Sequence, residues 1–229
     1  MGDDQRLILT EREDSVLDLE NCHRTSLELF GLSSQIWTKA HPSREDYIMS
    51  IPKEPPKVKL ISSLFSPDED LLGGAMQEME THFGPADWKS EKLVFDRTRY
   101  YANEMGWPLY RRFISFSKLI APDALVDVKL LTNTLENGHL AKERRIINID
   151  PGYISLERLI LASGKNYIHR IYLGRGIYAD LTLVYHAGTF KPLPWTYPDY
   201  ADETVIKYFN TVRAEYLHSL REERKDYHA

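Results

Sequence analysis

Only one cysteine, Cys22, occurs in the 229 residues. That excludes an internal disulfide and every multi-cysteine zinc site, and it fits a reducing compartment. Long apolar runs are missing too. No stretch reaches the roughly 18 consecutive apolar residues that a membrane helix needs. The first residues are acidic and polar, with no basic segment leading into an apolar run, so they do not read as a secretory signal. The cytoplasm is the expected compartment, and no membrane partner is expected. Basic charge is not in surplus either. Residues 1–48 hold ten acidic and five basic side chains, which leaves 24 of each for the rest of the chain. A neutral domain advertises no broad polyanion surface, so a small molecule is a better expected partner than nucleic acid. Also absent are a nucleophile elbow, a zinc-binding helix motif, a dinucleotide fingerprint and any internal repeat.

What remains is an ordinary globular balance, 42% hydrophobic and 28% charged, at a length that suits one domain with an appendage. Residues 1–48 are a poor match to helical spacing and read as an extension, either a tail or an over-long start with Met49 as the natural first residue. Three prolines in the five residues Pro52–Pro56 make an extended lead-in. From there the elements are distinct. A strand over 58–65 leads to a helix that Ser66 caps, with Pro67 at its first position. Its apolar face is Leu71, Leu72, Ala75, Met76 and Met79, and it ends near Phe83-Gly84-Pro85. Glu91–Phe95 reads as a strand, 96–108 as a polar-aromatic loop, and Leu109–Phe116 as an alternating strand. A second helix runs from Pro122 to about Gly138. Arg145–Ile149 reads as a strand that stops at a turn, Asp150-Pro-Gly-Tyr153.

The order so far is βαββαβ, the ferredoxin-like pattern. Strands over 154–162, 169–173 and 178–185 extend an antiparallel sheet. A closing helix over 202–221 carries the stripe Val205, Ile206, Phe209, Val212, Tyr216, Leu217 and Leu220. The expected fold is therefore α+β: a mainly antiparallel sheet with helices packed on one face, a ferredoxin-like core, a C-terminal β extension and a closing helix. The domain is expected over 49–222, with a polar tail at 223–229.

Five blocks carry a resemblance: Phe95-Asp-x-Thr-x-Tyr-Tyr-x-x-Glu-Met-Gly106, Lys129-x-x-Thr-Asn133, Asn148-Ile-Asp-Pro-Gly-Tyr153, His169-Arg-Ile-Tyr-Leu-x-x-Gly-Ile177 and Trp195-Thr-Tyr-Pro-Asp-Tyr200. Over about Pro52 to Leu220 the chain resembles the uncharacterised prokaryotic family known as domain of unknown function 4416. Members open with a short proline-containing leader like the one after Met49. The resemblance implies a family and no mechanism.

Chemistry has to be read from the residues. Asp96, Tyr100, Tyr101 and Glu104 crowd one loop, where function usually sits; the competing reading is that the tyrosines anchor the loop and the acids pair with Arg97 or Arg99. Asp150 at a strand end is well held, suited to a metal ligand or a general base, and equally to an Asx-type turn that also holds Tyr153. If strands two and four end at one edge, Asp96, Glu104 and Asp150 converge there. Such a set takes magnesium or manganese, or an arginine threaded between the acids, with Arg97, Arg99, Arg112 and Arg170 as candidates. His169 and Arg170 could move a proton and grip an anion, but neighbours on a strand face opposite ways unless a bulge intervenes. Asn133 shares a helical turn with Lys129. The 195–200 block more readily staples the last helix than stacks on a base.

Two functions fit these residues. One is a small-molecule enzyme acting on a phosphorylated or carboxylated substrate, with Asp96, Glu104, Asp150 and His169 as acid–base groups or ligands and Tyr100, Tyr101, Asn133, Tyr153 and Arg170 binding the substrate. The alternative is a non-catalytic nucleotide- or RNA-binding module.

Overall fold

Nine consecutive buried residues form the first strand, β1 (Val58–Ser66). Successive side chains of a strand point to opposite faces, so a strand buried throughout must be covered on both. The computed structural model describes residues 52–96, 98–141 and 144–226. The extension over 1–48, Met49 and Arg97 lie outside the described residues.

After β1 come α1 (Glu69–Phe83), β2 (Ala86–Lys89), β3 (Leu93–Val94), α2 (Ala102–Met105), β4 (Tyr110–Ile120), a 3-10 turn at Pro122–Ala124 and α3 (Leu125–Gly138). The chain continues through β5 (Leu140–Ala141), β6 (Arg144–Arg145), β7 (Asn148–Ile154), β8 (Arg158–Ser163), β9 (Arg170–Gly174), β10 (Ile177–His186), β11 (Thr189–Pro192) and α4 (Glu203–Asp226). All of these belong to one unit, Glu54–Ala229. One antiparallel sheet runs in the order β11-β10-β8-β7-β1-β4-β2, with β3 on β4 and β9 on β10. The fold is α+β with a mainly antiparallel sheet, and its C-terminal strands extend that sheet.

Helices cover both faces, which corrects the one-face expectation. Leu60 and Leu64 of β1 pack with Leu72, Ala75, Met76 and Met79 of α1 and with Val128 and Leu135 of α3. Ile61 packs on the opposite face with Val205, Phe209, Val212 and Tyr216 of α4. Alternation along β1 supplies an apolar surface to each side, and the α4 stripe takes the second.

Other boundaries shift for local reasons. Asp68, not Ser66, caps α1: its Oδ1 accepts from the Asp70 N–H at 2.9 Å and the Leu71 N–H at 3.2 Å. Ser66 Oγ instead donates to the Ile146 carbonyl at 2.8 Å, tying the end of β1 to the lead-in of β7. The strand expected at 91–95 is reduced to β3, and a separate short strand, β2, precedes it over 86–89. The closing helix continues through the expected polar tail to Asp226.

Two corrections reposition the candidate chemistry. The segment Asp150-Pro-Gly-Tyr153 is not a turn; it lies inside β7. The ends of β2 and β7 do not share an edge either. With every ladder antiparallel, β2 runs with β1 while β7 runs the opposite way. The loop after β3 meets the beginning of β7, where Asp150 is the third residue.

Candidate functional site

Pairing between β7 and β8 covers only Gly152–Ile154 against Leu159–Leu161. The reason is in the sequence of β7. In an antiparallel ladder alternate residues turn their N–H and C=O groups to the same neighbour. Ser155 donates to the Arg158 carbonyl at 2.9 Å, which puts Tyr153, Pro151 and Ile149 in the set facing β8. Pro151 has no N–H, so the ladder stops there. Gly152 sits at the last close contact: a Cβ on it would lie 2.3 Å from the Ile160 carbonyl oxygen. Beyond this point β8 stays with β10 as far as Ser163, and the sheet splits.

Helix α3 takes over the free edge of β7. Lys129 and Glu136 are two turns apart and so share a face. Glu136 accepts the Ile149 N–H at 2.6 Å, and Lys129 Nζ donates to the Ile149 carbonyl at 2.9 Å. A buried backbone amide left without partners would be costly, so these two polar side chains substitute for the missing strand. Lys129 also lies 3.5 Å from Asp150 Oδ1, and Asn148 Nδ2 donates to Asp150 Oδ2 at 2.6 Å. Burial pushes the Glu136 carboxyl above the usual range, against the pull of Lys129 and the Ile149 N–H.

The split opens a cavity of about 710 Å³. The loop after β3 makes one wall. Phe65, Phe95, Met105 and Leu109 form a small core beneath it, and Tyr101 packs on Phe65 at 4.8 Å between ring centres. Arg145 crosses to this loop: Nε and Nη2 hold Glu104 at 3.1 and 2.9 Å, while Nη1 donates to Asn148 at 2.7 Å and lies 3.5 Å from Glu136. The floor includes Arg111 of β4, buried between aromatic rings, 4.1 Å from the centre of Phe95, and ion-paired with Asp199. Burial pulls its pKa below the ordinary guanidinium value.

The third wall is the β8–β9 connection. Arg170 Nε donates to buried Asp180 at 2.8 Å, Nη1 to Ser163 Oγ at 2.9 Å and Nη2 to the Tyr197 hydroxyl at 3.2 Å. His169 Nε2 lies 3.4 Å from the same Asp180 oxygen. Both neighbours reach one carboxylate because His169 is in a turn closed by Arg170 N–H to the Tyr167 carbonyl, ahead of β9, so strand alternation does not apply. The His169 ring stacks on Trp195, 5.1 Å between centres and 11° between planes.

Burial, and then the charge of Asp150, push the Tyr101 phenol up to about 12. The folded-state value lies above the unfolded one. The stability its neutral form contributes is therefore complete below pH 10 and is lost as the pH rises through 12. Titration followed at the phenolate absorbance should find this late tyrosine. Tyr101→Phe should remove its step; a Tyr101 titrating near 10 would show an open loop.

The pattern of the family described as domain of unknown function (DUF4416) matches residues 56–216. The chain belongs to that family. No curated protein and no solved structure matches it.

In this DUF4416 chain the cavity gathers five of the residues singled out from the sequence: Tyr100, Tyr101, Asn133, Asp150 and Arg170 all line it. Asp96 is exposed and stays outside, Glu104 is engaged by Arg145, and Tyr153 packs half-buried beside Leu125 and Ile160. His169 does not line the cavity; it lies 3.4 Å from Asp180, which does. Among the described residues the cation threaded between acids is Arg145; of the arginines expected, Arg97 lies outside the described residues. Arg99 covers Trp107, Arg112 pairs with Glu69, and Arg170 pairs with Asp180. Among the described residues no group of three His, Cys, Asp or Glu side chains is placed to hold a metal ion.

Sequence reasoning passed over Arg111, Glu136, Arg145, Asp180 and Asp199. A signal existed for two of them. Arg111 and Asp180 are charged residues inside alternating apolar strands, and a charge at such a position is rare unless paired.

Proposed function

We propose that the cavity binds a small molecule bearing a phosphate or a carboxylate, and that the domain acts on it as an enzyme. The observation that carries this reading is the charge pairing. Four carboxylates line the cavity, and each has a cation within 4 Å: Asp150 with Lys129, Glu136 with Arg145 and Lys129, Asp180 with Arg170, and Asp199 with Arg111. The fifth cation, Lys165, has no carboxylate within that distance among the described residues; its ammonium lies 5.5 Å from the centre of the Tyr100 ring. An anion entering the cavity meets Lys165 without first displacing an acid. Charge-assisted contacts of this kind are the strong ones. The Lys129–Asp150 pair supplies a carboxylate and an ammonium in contact, the groups that would exchange a proton with the bound molecule.

A nucleotide or an RNA end is the second reading. It is favoured by Tyr100 and Tyr197, both more than half exposed on the cavity walls, where a base could stack. The finer fold reading belongs here as well. The strand order β7-β1-β4-β2 with α1 and α3 on one face supports a ferredoxin-like core. The single cysteine supports a cytoplasmic address.

The test is calorimetric titration with orthophosphate, nucleoside monophosphates and dicarboxylates. Binding of one class is expected, weakened at least about tenfold by Lys165→Ala, the cost of about 1.4 kcal/mol. A nucleoside monophosphate that binds while orthophosphate and the dicarboxylates do not would favour the second reading. If none of the three binds, or if Lys165→Ala leaves the affinity unchanged, the anion-site reading fails.

A further inference from the structure

Strand β9 is an edge strand of the described sheet. It pairs with the first part of β10 and, among the described residues, has no strand on its other side. The segment from Tyr167 to Leu173 exposes Ile168 at 95%, Ile171 at 71%, Tyr167 at 63%, Tyr172 at 59% and Leu173 at 40%. Ile171 pairs with Ala179 and Tyr172 with Tyr178, so apolar side chains occupy both faces of the strand.

Natural edge strands are usually guarded by outward charge, proline or a bulge. Here the register shifts once, at the hairpin end between Ile177 and Tyr178, and along the rest of the strand neither outward charge nor proline guards the edge. No acidic residue occurs between Lys165 and Tyr178, and the two arginines point elsewhere. Arg170 turns inward to Asp180, and Arg175 reaches Asp127 of α3. The His169 ring lies against Trp195.

We propose that β9 pairs with β9 of a second copy of this chain, antiparallel about a two-fold axis, so that two sheets join into one. Three observations favour a second copy over another partner. Five exposed apolar side chains within the seven residues Tyr167–Leu173 form one contiguous strip, the kind of surface that marks a protein contact. An isologous contact brings like to like and needs no charge complement, which suits a strand whose charges are already satisfied internally. A nucleic acid or an acidic protein would need outward cations, and both arginines of the segment are committed. The interface would also brace the cavity, because Arg170 belongs to β9 and Ser163 and Lys165 lie just before it.

Light scattering on the full chain after size exclusion, at tens of micromolar, is expected to give twice the 26.7 kDa chain mass. Ile171→Lys combined with Leu173→Lys alters only exposed positions and sets like charges across the two-fold. It should return the mass to that of one chain while the circular dichroism and melting profile stay those of a folded domain. Hydrogen exchange provides the second readout: the outward amides of β9 should be protected in the full chain and exposed in the double variant. A full chain that is monomeric at this concentration overturns the proposal. So does a dimer that survives the double variant. The same holds if the full chain stays monomeric while a chain lacking residues 1–48 dimerises, which would make the extension the occupant of this edge.

Discussion

Phe209→Ala is expected to cost about 3–5 kcal/mol, the range for removing a large aromatic side chain from a packed core. Phe209 is 1% exposed and sits in the second turn of α4. Its ring meets Phe113 of β4 edge-on at 5.2 Å and stacks on Tyr200 at 5.9 Å. The loss would therefore remove one of the contacts that bind α4 to the sheet, beside Val205, Val212 and Tyr216, and one of the two rings that hold Tyr200, the other being Phe113. A fall in the urea midpoint without a change in slope would report this cost. A near-zero shift would mean that α4 is peripheral, and the second cover of β1 with it.

Gly152→Ala is expected to be nearly as damaging, about 3 kcal/mol, at the upper end of overpacking effects. The new Cβ would meet the Ile160 carbonyl oxygen at 2.3 Å and the Leu161 side chain at 2.8 Å. The carbonyl is backbone and cannot turn away. Relief requires β8 to move off β7 at the last point where they pair, which would widen the split that forms the cavity. The same substitution at Gly73, in α1 with nothing within 4 Å of the added methyl, is the control. There the helix should gain about 0.5–1 kcal/mol. Equal effects at the two positions would show that strand contact does not decide the outcome at Gly152.

Much of this architecture was legible because it depends on local patterning. The α1 face Leu71, Leu72, Ala75, Met76 and Met79 and the α4 stripe were readable from helical spacing alone, and all of that α1 face but the half-buried Leu71 is buried. Asp150 and Tyr100 could be singled out because polar groups stood where a strand met a loop. The misreadings share one cause. Asp-Pro-Gly is ordinary turn chemistry, so residues 150–152 read as a turn. In the fold the proline ends one ladder and the glycine admits a neighbouring strand, which are tertiary uses of the same residues. Strand direction misled in the same way, since the element order does not by itself say which loop ends meet.

The sequence by itself determined the long helices and the central strands, the apolar faces that pair them and the family, because periodicity and contiguous motifs are properties of neighbouring residues. The tertiary structure decided which charges face one another. Lys129 finds the Ile149 carbonyl, Arg145 spans Glu104 and Asn148, and Arg111 finds Asp199, 88 positions away. Such pairs form only where the split between β7 and β8 lets α3, the β3–β4 loop and the segment before α4 converge, and no local pattern records that convergence.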